Sequence, residues 1–342
     1  MTSIKDVARS VGVSTATVSR ALRGLPRVSE STRDRVLRAA AELDYVASPS
    51  AAGLAGGRTR AVGVVVPFVS RWFFATVVQG AEAPLREAGY DLLLYYLGGD
   101  EESRHRVFDT HLLRRRVDAV LVLSLTPSEP EVAALVNLER PVALVGATVP
   151  GWASVGIDDV HAACSAMRHL LSLGHRRIAH LGGALEAQLD FAAPRDRLAG
   201  YRIAMSAAGL PVDPRWEVKG DFTVHGGVRG MTTLLGLQAS AVPTAVFAAS
   251  DEMAIGAVAA VRRAGLRVPQ DVSMIGIDDH EMAEFFDLTT VAQPAREQGR
   301  LAASLLLAAM DPRCPPESMP PAHVVGTTLL VRGTTAAPRH DG

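Results

Sequence analysis

One short segment near the start of the chain, "VSTATVSRAL" (residues 13–22), concentrates residues that could do specific chemistry. Its side chains that can donate hydrogen bonds are Ser14, Thr15, Thr17, Ser19 and Arg20, and Ala16 lies among them. Hydroxyl and guanidinium groups hydrogen-bond to phosphate oxygens and to base edges, and a methyl group contacts thymine. The segment therefore has the composition of a surface that could enter a major groove. The solvated face of a small helical cap has the same composition, so spacing alone leaves both interpretations open.

The elements that position this segment are three short helices within residues 1–46. Ser3 with Asp6 three residues later predicts the start of the first helix, Ser14 predicts the start of the second, and Ser29 that of the third. Gly12 ends the first helix. Two helices joined by a short turn, with a third packed behind them, form a helix-turn-helix unit. The apolar residues expected to hold it together are Val7, Ala8, Val11, Val13, Val18, Ala21, Leu22, Val36, Leu37, Ala40 and Leu43.

Residues 47–60, "ASPSAAGLAGGRTR", have the small and flexible composition of a linker. The stretch "SAAGLA" within them is long enough for a short hinge helix that carries one large apolar side chain, Leu54. A lone leucine in a linker is usually without function. Beside a DNA-binding module it could instead be a wedge that inserts between base steps of the minor groove.

Charge is distributed unevenly along the 342 residues. The net charge is −1 overall, yet residues 1–60 hold ten Lys and Arg against five Asp and Glu, which leaves 25 basic and 31 acidic residues in the rest. A basic head on an acidic body is typical of a polyanion-binding module attached to another domain. The two cysteines form no cluster, and no apolar stretch reaches the length of a membrane span. We therefore expect a cytoplasmic protein with no membrane segment.

From residue 61 to about 335, strand and helix patterns alternate in two successive sets. The apolar strand-like runs are "AVGVVVPF", "YDLLLYYL", "VDAVLVLS", "RPVALVGA", "RRIAHLGG", "WEVKGDF", "TAVFAAS" and "DVSMIGID". This alternation predicts a core of two doubly wound α/β lobes with parallel sheets. "HVVGTTLLVRG" predicts a closing strand, and residues 336–342 a flexible tail. Ligands of such folds bind at the carboxyl ends of strands, so we expect a cleft between the lobes.

Polar residues at the predicted strand ends are candidates for that cleft. They are Ser124, Asp158, Ser250 and Gln293. Polar residues in such positions also serve simply as caps of the next helix, so each has two interpretations.

Several motifs, in order along residues 4 to about 335, together resemble the lactose/purine repressor (LacI/GalR) family. They are "IKDVARSVGVSTATVSRAL", "YVASPSAAGLA", "GHRRIAHLGG", "RLAGY", "PTAVFAASDEMAIGA", "RVPQDVSMIGIDD" and "LTTVAQP". The resemblance implies a bacterial transcriptional regulator, most often a repressor. It further implies a homodimer that binds a palindromic operator in double-stranded DNA, and a periplasmic-binding-protein-like core that binds a small effector such as a sugar or sugar derivative.

The resemblance also assigns residues. Thr15, Ala16 and Arg20 match the family's base-contacting positions, and Leu54 matches its hinge wedge. Ala16 replaces a polar residue of several relatives and offers only apolar contact. Ala52 and Gly53 stand before Leu54 where many relatives have polar or basic residues, which predicts a hinge that orders only on the operator.

In the core, the resemblance assigns Phe73, Phe74 and Phe222 to stacking on the effector, although each could be core packing instead. Arg197 and Asp278 match the family's main polar ligand contacts, and their charges suit bidentate bonds to hydroxyl groups. Many relatives have Asn-Pro before the paired phenylalanines, whereas this chain has "SRWFF". Its Arg71 and Trp72 either accommodate an acidic or larger ligand or cover the edge of the lobe.

Other functional classes fit less well. The chain has no nucleophile elbow, P-loop or dinucleotide fingerprint, so we predict no catalytic residues, no cofactor and no enzyme activity. A periplasmic solute-binding protein would explain the lobes, but it would begin with a signal peptide rather than a basic helical unit. His161, His169, His175 and His180 lack metal-ligand spacing, which predicts surface or turn positions and no metal site.

Overall fold

The computed structural model describes residues 2–22, 24–45, 58–98, 101–109, 116–183, 191–313 and 322–339. These residues belong to two compact units. The first unit comprises residues 1–61 and 115–118, and the second comprises residues 62–114 and 119–342.

The first unit carries three helices at its amino-terminal end: α1 (Ile4–Val11), α2 (Thr15–Leu22) and α3 (Glu30–Glu42). Each begins at the cap that the sequence predicts. The Asp6 carboxylate accepts a hydrogen bond from the Ser3 backbone N–H at 3.0 Å, and the Ser14 and Ser29 hydroxyl groups accept from backbone N–H groups three residues further on. Gly12 has a left-handed φ of 72°, which ends α1 and turns the chain toward α2.

All three helices contribute to one small core. Val7, Val18 and Val36 are completely buried, and smaller apolar residues from each helix surround them. The expectation that Leu37 joins this core is wrong, because its side chain is 47% exposed. Each helical residue is rotated by about 100° from the one before it. Since Val36 points directly into the core, its neighbour Leu37 points away.

The second unit carries two lobes. The strands are β1 (Ala61–Val66), β2 (Asp91–Tyr96), β3 (Ala119–Leu123), β4 (Val142–Val145), β5 (Ala153–Gly156), β6 (Ile178–Gly182), β7 (Glu217–Lys219), β8 (Ala245–Ala248), β9 (Ser273–Asp278), β10 (Thr289–Ala292), β11 (Ala322–Val324) and β12 (Thr328–Leu330). The helices are α4 (Trp72–Glu87), α5 (Glu101–Asp109), α6 (Glu129–Val136), α7 (Asp159–Ser172), α8 (Ala192–Ala207), α9 (Val224–Leu235), α10 (Asp251–Arg263) and α11 (Ala295–Met310).

Each lobe is built on a six-stranded sheet. The order in the first lobe is β11-β5-β4-β3-β1-β2, and the order in the second is β12-β10-β9-β8-β6-β7. Helices α4 and α11 pack on the first sheet, and α7 to α10 pack on the second. This arrangement confirms the predicted two-lobed α/β core.

The segment "HVVGTTLLVRG" differs from its prediction as one closing strand. It forms two strands in different sheets, with β11 parallel to β5 in the first lobe and β12 antiparallel to β10 in the second. The chain therefore crosses between lobes at residues 325–327, in addition to the crossings after β5 and β10. A continuous β-type pattern does not reveal which sheet each half will join, because both sheets offer an edge.

Residues 336–339 differ from their prediction as part of a flexible tail. The Ser273 hydroxyl accepts from the Ala336 backbone N–H at 3.1 Å, and the His175 Nε2 atom lies 2.8 Å from the Ala336 carbonyl oxygen. Arg339 forms an ion pair with Asp271 at 2.7 Å. Residues 336–339 are thus attached to the second lobe, and small polar composition alone was a poor indicator of a flexible end.

Two of the four clustered histidines are buried, and of these His180 departs from the predicted surface or turn position. His175 is buried in the turn before β6, and His180 lies inside β6 with its ring stacked at 5.3 Å on that of Tyr201. A histidine ring is mostly carbon, so it can be buried among apolar neighbours, here the rings of Tyr201 and Phe247.

Helices α4 and α11 approach each other closely enough to bring their backbones together. A Cβ atom on Gly80 would lie 2.0 Å from the Arg296 carbonyl oxygen, and one on Gly299 would lie 2.0 Å from that of Val77. The two glycines therefore allow a backbone approach that any side chain would block. This approach holds α11 against the first lobe, directly after the crossing that carries Gln293.

Candidate functional site

The predicted DNA-contacting residues of the first unit share one face of α2. Ser14, Thr15, Ala16 and Arg20 are exposed, while Thr17 and Ser19 are partly exposed. Val18 and Ala21 point the opposite way into the core. We call the outward set, residues 14–17 with 19 and 20, the α2 polar face. Leu54, the predicted wedge, lies outside the described residues.

The α2 polar face is held at its amino-terminal end by a local network. The Ser14 hydroxyl accepts from the Thr17 backbone N–H at 3.1 Å and lies 2.9 Å from the Thr17 hydroxyl. Helix α3 stabilises the turn between α1 and α2, because the Arg35 guanidinium of α3 donates to the Val11 carbonyl oxygen at 2.6 Å. Rigid presentation of small polar groups is what contact with base edges requires.

A cleft of about 760 Å³, partly open to solvent, lies where the two lobes of the second unit face each other. Ser124, Gly146 and Ile157 line it directly after β3, β4 and β5 of the first lobe. Ser250, Asp278 and Gln293 line it at the ends of β8, β9 and β10 of the second lobe. This places the cleft at the carboxyl ends of both sheets, as the sequence predicts.

Aromatic rings form much of the cleft wall. Phe73 and Phe74 line it from the start of α4, with their ring centroids 5.5 Å apart, and Phe222 lines it from the second lobe. Phe191 also lines it, 6.4 Å from the ring of Phe74, and was missed by the sequence analysis. The sequence feature that could have identified Phe191 is its position immediately before α8, the helix that carries Arg197.

A buried ionic network occupies the floor of the cleft. The Arg197 side chain, 5% exposed, donates to the Asp159 carboxylate at 2.7 Å and to the Ala249 carbonyl oxygen at 2.5 Å. It also lies 3.7 Å from the Asp278 carboxylate, which accepts a hydrogen bond of 2.6 Å from the Gln293 amide. These contacts orient hydrogen-bonding groups of both signs toward the cleft.

Burial raises the pKa of Asp278 to about 6, even though the positive charge of Arg197 and the Gln293 hydrogen bond both favour the ionised form. Behind it, burial raises the pKa of Asp251 to about 8, and the nearby charge of Asp278 adds to this effect. The Asp251 carboxyl accepts from the Thr290 hydroxyl at 2.7 Å and from the His280 backbone N–H at 2.9 Å. Asp251 thereby ties the loop after β9 to β10.

Asp158 does not line the cleft, so its prediction as an effector contact is wrong. Its carboxylate accepts from the His161 backbone N–H at 2.8 Å and caps α7, while its side chain faces a separate groove. The next residue, Asp159, is the one that lines the cleft and pairs with Arg197. Ser250 has both roles, because it lines the cleft and its hydroxyl also caps α10.

Arg71 and Trp72 line the cleft from the first lobe, opposite Glu252 of the second. The Arg71 guanidinium stacks over the Phe68 ring at 3.9 Å, and the Trp72 ring lies 5.2 Å from that of His280. The Trp72 backbone N–H and the charge of Arg71 favour ionised Glu252, but burial and Asp278 dominate and raise its pKa to about 7. The two lobes thus already touch through these residues.

Within the described ranges, no group of three or more His, Cys, Asp or Glu side chains is arranged to hold a metal ion. The same residues include no helix that is both long and apolar enough to cross a membrane.

Comparison with known proteins matches both units. The model for "Bacterial regulatory proteins, lacI family" matches residues 3–48, and that for "Periplasmic binding protein-like domain" matches residues 167–335. The HTH-type transcriptional repressor CytR of Escherichia coli (strain K12) is 36% identical over 342 residues, which cover 98% of this chain and 96% of that protein.

Two solved structures are similar over nearly the whole chain. The Lac repressor dimer bound to operator and the anti-inducer ONPF has a TM-score of 0.83 at 27% identity, covering 98% of this chain and 99% of that one. The complex of the transcriptional regulator CelR with cellobiose has a TM-score of 0.70 at 34% identity, covering 98% of this chain and 100% of that one.

Proposed function

Because this chain belongs to the LacI family of bacterial regulatory proteins, we propose that it is a transcriptional repressor that binds a palindromic operator as a homodimer. A small effector, which is a sugar or sugar derivative, binds in the cleft between the lobes and controls binding to the operator. The observation that carries the proposal is that one chain combines the α2 polar face with a polar and aromatic cleft at the strand ends. It works in the cytoplasm, where bacterial operator DNA is found, and not as an enzyme.

On the DNA side, Thr15, Ala16 and Arg20 contact base edges in the major groove. Arg20 is the main source of sequence preference, since arginine forms bidentate bonds to guanine. Ala16 supplies an apolar contact that suits a thymine methyl group. Leu54 inserts into the minor groove, so we expect Leu54→Ala to weaken binding to the operator far more than binding to random DNA.

On the effector side, the cleft suits a polyhydroxylated ring. Asp159, Asp278 and Gln293 offer acceptors for hydroxyl groups, Arg197 offers donors, and the rings of Phe74 and Phe222 can cover the apolar faces of the sugar. The solved CelR complex contains cellobiose, which is a sugar of the proposed chemical class.

Exposed apolar side chains of the second unit support the homodimer. Leu93, Leu94 and Tyr96 are exposed on β2, the edge strand of the first sheet. Met282 and Phe285 are exposed in the loop before β10, and Phe285 is 80% accessible to solvent. We propose that these exposed apolar side chains contribute to the dimer interface.

Regulation follows from the geometry of the lobes. An effector that draws the lobes together moves the two first lobes of a dimer relative to each other, and so changes the separation of the linkers. The coupling is reciprocal, so an effector that weakens operator binding must itself bind less tightly to the DNA-bound protein.

The test begins by selecting bound sequences from random DNA with the whole protein. Fluorescence anisotropy then measures binding to the selected site and to random DNA at two salt concentrations, with single sugars and nucleobases added. We expect a palindromic site, bound at least about a thousandfold more tightly than random DNA, and one compound that shifts the affinity. Failure to enrich any sequence would refute the proposal.

A matched pair of variants tests the role of α2. Arg20→Ala should lower affinity for the selected site by about 10- to 100-fold and relax the preference at one base pair. Arg38→Ala, which removes an exposed arginine of α3, should leave that preference intact. Equal losses by Arg20→Ala on operator and on random DNA would show that Arg20 contacts only phosphate.

A further inference from the structure

The carboxyl-terminal end of the linker is held by a single buried carboxylate. One Asp118 oxygen accepts from the Thr59 backbone N–H at 2.8 Å and from the Thr59 hydroxyl at 3.1 Å, and the other accepts from the Arg60 backbone N–H at 2.9 Å. The Asp118 backbone N–H donates to the Ala61 carbonyl oxygen at 2.7 Å. Residues 59–61 are therefore attached to residue 118 by four hydrogen bonds, which we call the Asp118 clamp.

The clamp holds the backbone in a conformation that the chain would not adopt by default. Arg60 has a φ of 56°, in the left-handed region that residues with a Cβ atom rarely occupy. Such a conformation persists only where the surroundings determine it. Here the Thr59 and Arg60 N–H groups bond to the Asp118 carboxylate, and the Ala61 carbonyl oxygen on the other side of Arg60 bonds to the Asp118 backbone N–H. Asp118 itself is only 5% exposed, so its side-chain oxygens depend on these donors for hydrogen bonds.

The position of the clamp gives it a consequence for DNA binding. Asp118 immediately precedes Ala119, the first residue of β3, and Ala61 is the first residue of β1, which pairs with β3. The clamp thus determines where the linker ends and how many residues of it can extend. We propose that Asp118 is a positioning residue that sets the operator half-site spacing accepted by the dimer; this rests on the proposed function.

The expected size of the effect follows from chain geometry. Release of residues 59 and 60 adds up to about 7 Å of reach to each linker, at about 3.3–3.6 Å per extended residue. One base pair advances about 3.4 Å along the duplex. The two released linkers of a dimer together gain up to about 14 Å. Two inserted base pairs move one half-site by about 7 Å and rotate it by about 70°, at about 10–10.5 base pairs per turn, and the released linkers have enough reach for both displacements, which clamped linkers lack.

The test measures the affinity of whole protein for its selected operator and for versions with one or two base pairs inserted at or removed from the centre. Wild-type protein should bind the altered spacings at least about tenfold more weakly. Asp118→Ala should reduce that penalty to about threefold or less, and Asp118→Asn, which keeps one acceptor oxygen, should be intermediate. Asp213→Ala is the matched control, because it removes another carboxylate that accepts a backbone N–H, in the second lobe.

A second variant keeps the inference testable if Asp118→Ala fails to fold. Insertion of two glycines between residues 57 and 58 lengthens the linker and leaves the clamp intact, so it should relax spacing to the same degree. Spacing discrimination that stays at the wild-type level in either variant, or that wild-type protein itself lacks, overturns the inference. Failure of wild-type protein to select any DNA sequence refutes the proposed function instead, so the two failures are distinguishable.

Discussion

Acid should destabilise the second lobe through His180. This side chain is 2% exposed, and neither of its ring nitrogens makes a hydrogen bond of good geometry with the described residues. Burial lowers its pKa from 6.5 to about 4, although Glu217 and the Phe247 backbone lie near enough to favour the proton slightly. The folded protein therefore keeps His180 neutral at pH values where the unfolded chain would protonate it.

The direction and the size of the stability loss follow from proton linkage. Between pH 6.5 and pH 4 the unfolded state binds one more proton than the folded state, so the free energy of unfolding falls as the pH falls. Each pKa unit corresponds to about 1.36 kcal/mol, which makes the full loss about 3 kcal/mol, of which roughly 2 kcal/mol has occurred by pH 5. Above pH 6.5 both states keep His180 neutral, so none of this loss of stability occurs there.

The assay is urea denaturation of wild-type protein and His180→Leu at pH 8 and at pH 5. All three tryptophans, Trp72, Trp152 and Trp216, lie in the second unit, so their fluorescence follows the unfolding of that unit. His180→Leu should gain about 2 kcal/mol relative to wild-type protein when the pH is lowered from 8 to 5.

Subtracting the free energy of unfolding of wild-type protein from that of His180→Leu cancels the titrations of other groups, some of which change stability in the opposite direction. The raised pKa values of Asp251, Glu252 and Asp278 make the folded state bind extra protons, so their effect on stability is lost as pH rises. His161→Leu, at an exposed position of α7, is the control and should follow wild-type protein. A stability difference between His180→Leu and wild-type protein that is the same at both pH values would refute the reasoning.

Three further predictions concern the core. Phe285→Glu places a charge on an exposed apolar site and should convert the dimer to monomer in analytical ultracentrifugation; an unchanged sedimentation coefficient would contradict the assignment of this surface. Arg197→Met leaves the Asp159 and Asp278 carboxylates without their cation and should lower the free energy of unfolding by about 3–5 kcal/mol in urea denaturation, whereas a loss below about 1 kcal/mol would show that the network is not stabilising. Gly80→Ala should cost about 1–3 kcal/mol in the same assay, because its Cβ atom would meet the Arg296 carbonyl oxygen at 2.0 Å, and a neutral result would mean that α4 and α11 separate easily.

Patterns confined to a few neighbouring residues were predictable from the sequence. The caps at Ser3, Ser14 and Ser29 were identified correctly because a cap depends on a side chain and an N–H group two or three residues away. The exposure of Thr15 and Arg20 followed from the same helical periodicity that buries Val18.

Features that depend on distant segments were not predictable in the same way. Asp158 and Asp159 are adjacent and chemically identical, and only the orientation of α7 against α8 brings Asp159 to Arg197. Phe191 enters the cleft because the start of α8 faces the start of α4, which no local pattern states. Its distance of 6.4 Å from Phe74 is a product of how the lobes pack.

By itself, the sequence determined a basic helix-turn-helix unit and two α/β lobes, since hydrophobic periodicity, helix caps and charge are local properties of the chain. Only the tertiary structure decided which strand ends meet, that residues 322–330 divide between two sheets, and that Asp118 reaches back to Thr59 and Arg60. The physical reason is that hydrogen bonds and burial between distant segments depend on how whole elements pack. A small rotation of one helix about its axis changes which residues its side chains contact.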